Sequence, residues 1–250
     1  MRRLTRRTLP GLTVTIALVF SGGLRIAAGD KAKVSTLASC PAWGAETRDT
    51  PRGLLNEVKH RVPAQTTPVL LELRDFVALQ QQSAARVQTG KDAPIHARER
   101  ARLRDFIVRD QHASEGDLVA LSGFVLKAEV NVGESVNCYL HGLANNDFHI
   151  GVGDTPQAPP RESVVAEMIP QGRQKLWTLG RLRRIAAERR RVMVIGQLML
   201  DSIHNPGDEA RASLWEVHPV TRFLVCAATE SGCDPGVEGQ WRPLESLEER

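Results

Sequence analysis

The sequence predicts a mainly β fold with appended helices, and three observations carry that reading. From Asp117 onward the apolar pattern leaves the helical period for runs rich in β-formers: VALSGFVLKAEV, DFHIGVG, SVVAEMIP, RVMVIGQLMLDS and RASLWEVHPVTRFLVC. A short basic helix, roughly Trp177 to Arg190, stands between the third run and the fourth. Strand-strand-strand-helix-strand-strand is the order of a five-stranded OB-like β-barrel, whose outer face across the second and third strands is its usual ligand surface. A plain β-sandwich has no need of a helix at that point.

Taken in order, residues 1–29 read as a signal peptide. Arg2, Arg3, Arg6 and Arg7 precede an apolar run from Leu9 to Phe20, with small residues around Ala27, Ala28 and Gly29. The run falls short of the roughly 20 residues that a membrane span takes. Cleavage near Gly29 predicts an exported chain, periplasmic or extracellular, with no transmembrane span. Thr5-Arg6-Arg7-Thr8-Leu9 resembles a twin-arginine export signal, but Pro10 and the commonness of paired arginines in leaders favour plain secretion. Leu37-Ala38-Ser39-Cys40 looks like a lipobox. Asp30, Lys31 and Lys33 separate Cys40 from the apolar run, so soluble export is favoured over a lipoprotein anchored through Cys40.

Residues 30–116 read as a helical arm packed on the barrel. Its first part is irregular apart from the amphipathic Leu54–Lys59. Thr67-Pro68 then offers a helix N-cap and a first-turn proline before LLELRDFVALQQQ, where Leu70, Leu73, Val77 and Leu79 form a helical stripe. A second helix is expected from Asp92-Ala93-Pro94, with Ile95, Leu103, Phe106 and Ile107 as its apolar positions, ending before Gly116. The barrel spans 117–228. Residues 229–250, with Trp241 among Pro, Gly and Glu, read as a flexible tail.

The 250 residues and 42% apolar content suit one barrel core plus this arm. The net charge of +4 falls close to neutral once the leader's Arg2, Arg3, Arg6, Arg7 and Arg25 are removed. Whole-chain charge therefore gives nucleic acid no support as a partner, and only local basic patches speak for it. One such patch is Arg173, Arg181, Arg183, Arg184, Arg189, Arg190 and Arg191, with Arg181, Arg183 and Arg184 on the helix itself as candidate phosphate binders. The competing reading is a solvated helix face beside Glu188, since no aromatic residues interleave to stack bases.

Cys40, Cys138, Cys226 and Cys233 are an even set, which in an oxidising compartment predicts two disulfides. Cys226 with Cys233 and Cys40 with Cys138 are the expected pairs, the second pinning the arm to the barrel. No C-x-x-C pair suggests zinc held by thiolates.

Strand parity sorts the chemistry-bearing residues. Phe148, Ile150 and Val152 share one face and Asp147 and His149 the other; Trp215 and Val217 oppose Glu216 and His218 in the same way. The carboxylate-x-His pattern thus occurs twice. Glu167 sits inside the apolar VVAEMI, where a carboxylate is costly unless it meets an Arg, a His or a ligand. Asp201 ends the fourth strand and His204 follows it. Asp147, His149, Glu216 and His218 are candidate ligands for a divalent metal ion, which would be the cofactor. Glu167, Glu216 and His218 are the candidates for proton transfer at a metal-polarised phosphoryl group. The alternative is a half-exposed strand pattern, with His149 and His218 in a structural hydrogen-bond network around Trp215. Tight clustering in a cleft favours an enzyme, and full burial of Glu216 and His218 in mutual hydrogen bonds speaks against one. Gly-x-Ser-x-Gly, P-loop and dinucleotide fingerprints are absent. Gly153-Asp154-Thr155 is similar to a thermonuclease motif, but Val152 replaces the acidic residue that precedes it there, so that mechanism is not carried over.

Glu134-Ser135-Val136-Asn137-Cys138, Asp147-Phe148-His149-Ile150, Val164–Pro170 (VVAEMIP) and Trp215–Thr221 (WEVHPVT) together resemble a group of exported bacterial proteins without an assigned reaction. The resemblance spans roughly Leu118 to Val225, with a faint extension to the arm from Leu55 to Arg61, and the Trp-Glu-x-His-Pro-Val run is its most specific piece. It implies that Glu134, Asn137, Cys138, Asp147, His149, Glu167, Glu216 and His218 belong to one pattern, a site or a structural network. The expected function is an exported OB-like binding module for an unknown ligand: a carbohydrate, a nucleic acid or an envelope partner. The alternatives are a divalent-metal-dependent phosphodiesterase or nuclease, and a structural envelope protein that makes contact through its helical arm.

Overall fold

The computed structural model of the chain describes residues 34–90, 94–204, 211–228 and 232–247, so the expected leader lies outside the described residues. In chain order the elements are helix α1 (Pro51–Lys59), strand β1 (Val69–Leu71), and helices α2 (Leu73–Ala84) and α3 (Ala97–Arg100). Strands β2 (Phe106–Val108), β3 (Gln111–Ala113), β4 (Leu118–Val130), β5 (Phe148–Gly153) and β6 (Ser163–Met168) follow. Helix α4 (Leu179–Ala187) precedes strands β7 (Arg191–Leu200), β8 (Trp215–Cys226) and β9 (Trp241–Pro243).

Strands β4 to β8 close into a barrel in the order β4-β5-β6-β8-β7 and back to β4, with β6 and β8 parallel and the other neighbours antiparallel. That is the OB-like order, with α4 placed between the third and fourth barrel strands. Closure depends on the 13-residue β4, which pairs with β7 through Leu118–Phe124 and with β5 through Phe124–Val130, bending at a bulge between Val125 and Lys127. Gly123 sits at that corner because a Cβ there would lie 2.6 Å from the Gly153 carbonyl oxygen. The inward parity of Val125, Ile150, Val152, Val164, Ala166, Val194 and Val217 fills the interior, and Leu182 and Ile185 of α4 close one end. Thr178 Oγ1 caps α4 by accepting from Arg181 N at 3.2 Å.

The arm departs from expectation in two places. The helix expected from Thr67-Pro68 begins only at Leu73, where Glu72 and Asp75 form a capping box. Val69–Leu71 instead runs parallel to β4 as an edge strand. The second expected helix is reduced to Ala97–Arg100, and Phe106 and Ile107 fall in the β2–β3 hairpin. There Phe106 turns inward, edge-on to Trp215 at 5.5 Å between ring centroids. Phe76 and Leu79 of α2 join the same core as the barrel residues. The expected loose tail contributes β9, paired with β8 through Cys226 and Trp241. Trp241 anchors it by burying its ring against Met193 and Ile195, a gain that outweighs the surrounding Pro and Gly.

Cys40–Cys138 and Cys226–Cys233 form the expected disulfides, which fit an oxidising, exported environment. Among the described residues no helix is long and apolar enough to cross a membrane.

Candidate functional site

Register places the polar cluster. His149 on β5 pairs with Glu167 on β6, and Ala166 of β6 pairs with Val217 of β8. Ala166 and Val217 point into the core, so their neighbours Glu167, Glu216 and His218 share the opposite, outer face. These side chains lie on the outer face, as strand parity predicts, yet they are not those of a half-exposed strand. Asp147, Glu167, Glu216 and His218 are fully buried because the arm lies over this part of the barrel.

Local sequence makes that cover. Thr50 accepts from Gly53 N at 3.1 Å and Pro51 opens the first turn of α1, so the short helix starts sharply. Its Leu55 and Val58 pack on Met199, and Gln197 of β7 donates to the Val58 carbonyl at 2.9 Å. The same turns bury Asn56 and Lys59. Asn56 Nδ2 donates to Trp43 O and Ser135 Oγ, and Ala45 N donates to Ser135 O at 2.8 Å, docking the arm on the β4–β5 loop. Gly44, at φ +62°, permits this approach, since a Cβ there would sit 2.1 Å from the Ser135 carbonyl oxygen. The Cys40–Cys138 disulfide fixes the same contact covalently.

Glu167 occupies the centre. Its Oε1 lies 2.5 Å from His149 Nε2 and its Oε2 lies 3.1 Å from His218 Nδ1. His218 Nδ1 also faces Glu216 Oε1 at 3.2 Å, and Glu216 Oε2 lies 3.5 Å from Arg211 Nη1. Asn137 donates to Asp147 Oδ1 at 2.8 Å. Asp147 Oδ2 and His218 Nε2 lie 3.9 Å apart, and neither has a hydrogen-bond partner among the described residues. At the rim, Glu134 and His149 keep 21% and 18% of their side chains exposed. On the far side Lys59 Nζ lies 3.3 Å from Asp201 Oδ2 and 3.8 Å from Glu134 Oε1, and His204 Nε2 lies 3.5 Å from Asp201.

Crowded carboxylates set the protonation. Burial pushes the His218 imidazole down, yet Glu167 and Glu216 reverse this and raise it to about 10; His149 rises to about 9 through Glu167 in the same way. Burial pushes Glu167 up, but the two imidazoliums and Lys59 overcome it and hold the carboxyl well below the usual range. Glu134, Asp147 and Glu216 are raised, by burial first and then by neighbouring carboxylates. Burial also pushes Asp201 up, but Lys59 and His204 bring it down to about 2. A raised histidine contributes stability that is complete below its ordinary value of 6.5 and lost as the pH rises through the folded value. The melting temperature in the presence of chelator should therefore fall between about pH 6.5 and 10. Calorimetry across that window checks it, and a flat profile would exclude the imidazolium cluster.

The structure thus brings together Asp147, His149, Glu167, Glu216 and His218, and joins Asp201 and His204 to them through Lys59. The network is not built around Trp215, whose ring faces inward and donates to Ser83 Oγ at 3.0 Å. Glu216 and His218 are buried against one another, which argues against either moving protons for a substrate. In the arginine patch, Arg181 donates to the Leu244 carbonyl, Arg183 to that of Ala128, and Arg184 pairs with Glu188. The Arg183 contact ties α4 to β4, the Arg181 contact ties it to the segment after β9, and the Arg184 pair stays at the end of the helix itself. Sequence reading missed Lys59 and Arg211 as members of the cluster. The traces of Lys59 in the sequence are its place on the amphipathic Leu54–Lys59 and within the Leu55-to-Arg61 extension of the resemblance.

No protein-family model matches the chain, and no curated protein matches it. Among solved structures it is similar to a chain of the crystal structure of yeast Stn1 and Ten1, at 10% identity with a TM-score of 0.33. The match covers 65% of this chain and 65% of that one. At that score the likeness carries no argument, and the barrel is identified by its own strand order.

Proposed function

We propose that this is an exported OB-like binding module whose ligand on the outer face of β5, β6 and β8 is a divalent cation, held by Asp147, Glu167 and His218. One observation carries the reading: Asp147 Oδ2 and His218 Nε2 are buried, lack hydrogen-bond partners among the described residues and face each other at 3.9 Å. Donor atoms of these two residues and Glu167 all lie within 4.8 Å of one another. Bonds of about 2.0–2.2 Å to a common ion put neighbouring ligands roughly 3–4 Å apart. Glu216 supports the reading from behind, because a carboxylate on Nδ1 leaves Nε2 as the coordinating nitrogen. Mixed carboxylate and imidazole donors suit manganese or zinc. Thiolates do not compete for the ion, since all four cysteines are in disulfides.

A polymer on this surface is not favoured, since the arm covers it. The hydrolytic alternative, a divalent-metal phosphodiesterase or nuclease, draws on the partial exposure of Glu134 and His149 at the rim. Metal-dependent cleavage of a phosphodiester dye that His149→Ala abolishes would establish it.

The test of the binding reading is thermal unfolding with manganese, zinc, calcium and magnesium. Stabilisation of about 2.7 kcal/mol is expected at a hundredfold excess over Kd. Asp147→Asn, which keeps the shape and the Asn137 contact, should remove the response. A melting temperature that none of the four ions moves would end the proposal.

A further inference from the structure

We infer that the cluster is built for two cations, the second held by Glu134, His149 and Glu167, with the Glu167 carboxylate bridging the pair. The inference rests on the single-cation reading above and extends it to the rim. Its basis is that the two oxygens of Glu167 serve different partners. Glu167 belongs to both groups of converging donors, Asp147–Glu167–His218 and Glu134–His149–Glu167; its Oε1 faces His149 of β5, and its Oε2 lies on the side of the His218 ring of β8, 3.1 Å from Nδ1, because β6 runs between those strands. A carboxylate used from both ends is the geometry of a bridging ligand, which spans ions about 3.5–4 Å apart.

The second site has donors of its own. Glu134, His149 and Glu167 each offer one atom within 4.8 Å of the others. Glu167 is buried, with the His149 ring on its Oε1; Glu134 Oε2 is shut off from solvent without a hydrogen-bond partner among the described residues. His149 Nε2 touches Glu167 Oε1 at 2.5 Å, and a cation between them would open that contact to about 3 Å at bond lengths of about 2.0–2.2 Å. Asn131 Nδ2 lies 3.1 Å from the same nitrogen. Turning that terminal amide over aims its oxygen at the ion as a neutral donor. The two sites also differ in access. Asp147 and His218 are sealed in, whereas Glu134 and His149 open to solvent, so the rim ion enters and leaves more readily.

Manganese alone is the probe, added to the full-length, disulfide-bonded mature protein after chelation, with bound metal counted by elemental analysis and coupling read by electron paramagnetic resonance. Two ions per chain with an exchange-coupled spectrum are expected. His149→Ala and, separately, the isosteric Glu134→Gln should each leave one ion with an uncoupled spectrum and unchanged circular dichroism. One ion per wild-type chain, unaffected by His149→Ala, would overturn the second site and leave the single-cation reading standing. Two ions without exchange coupling would overturn the Glu167 bridge. No bound ion at all would remove both readings.

Discussion

Replacing Lys59 with methionine should destabilise the cation-free protein by about 3–5 kcal/mol, the usual cost of removing one partner from a buried ion pair. Methionine fills the space of the lysine stem, so the loss isolates the ammonium. Lys59 is held charged: burial pushes its pKa down, but Asp201 and then Glu134 raise it well above the ordinary value. Without it, buried Asp201 keeps His204 at 3.5 Å and the Ile203 backbone N–H at 3.3 Å, while Glu134 loses its only ion pair among the described residues. Pairing Lys59→Met with Asp201→Asn should cost clearly less than the sum of the single changes, since no unpaired charge then remains. The site also becomes more negative, so manganese should raise the melting temperature of Lys59→Met by more than that of the wild type. Denaturant unfolding of the four proteins settles it. A loss below about 1 kcal/mol, of the size typical for a surface pair, would mean that the ammonium is not paired as described.

The barrel was legible because parity and burial agree along it. Phe148, Ile150 and Val152 alternate with polar neighbours, and Val164–Ile169 is apolar throughout except for Glu167. The arm was less legible for physical reasons. Val69–Leu71 continues the apolar stripe of α2, and a short apolar run does not distinguish strand from helix until β4 offers an edge to pair with. The β2–β3 hairpin turns on Arg109 at φ +53°, a residue type that gives no turn signal. Arg109 is held there by Asp75 and by the Leu70 carbonyl, contacts that exist only after folding. The site divides in the same way. Its two carboxylate-x-His repeats follow from strand parity, and Glu167 stood out as a carboxylate in need of a partner. Burial was not legible, because it depends on α1 crossing strands far from it in sequence and bringing Lys59 to Asp201.

Removing the Cys40–Cys138 disulfide should be the more damaging of two superficially similar changes. It links residues 98 apart in sequence, against 7 for Cys226–Cys233. Loop-closure entropy assigns about 4.7 kcal/mol to a loop near 100 residues and roughly half of that to the short one. The serine double substitution at Cys40 and Cys138 should therefore cost about 4–5 kcal/mol, and that at Cys226 and Cys233 about 2–3 kcal/mol. The functional consequences should differ as well. Cys138 follows Asn137, which positions Asp147, and the same loop carries Glu134 and the Ser135 contacts that dock the arm. The long-range variant should thus lose its cation-induced rise in melting temperature in addition to its stability. The short-range variant, cut at the β8–β9 turn away from the cluster, should keep that rise in full. Equal cation responses in the two variants would show that the disulfide stabilises the fold without organising the site, and the arm would then be a cover only.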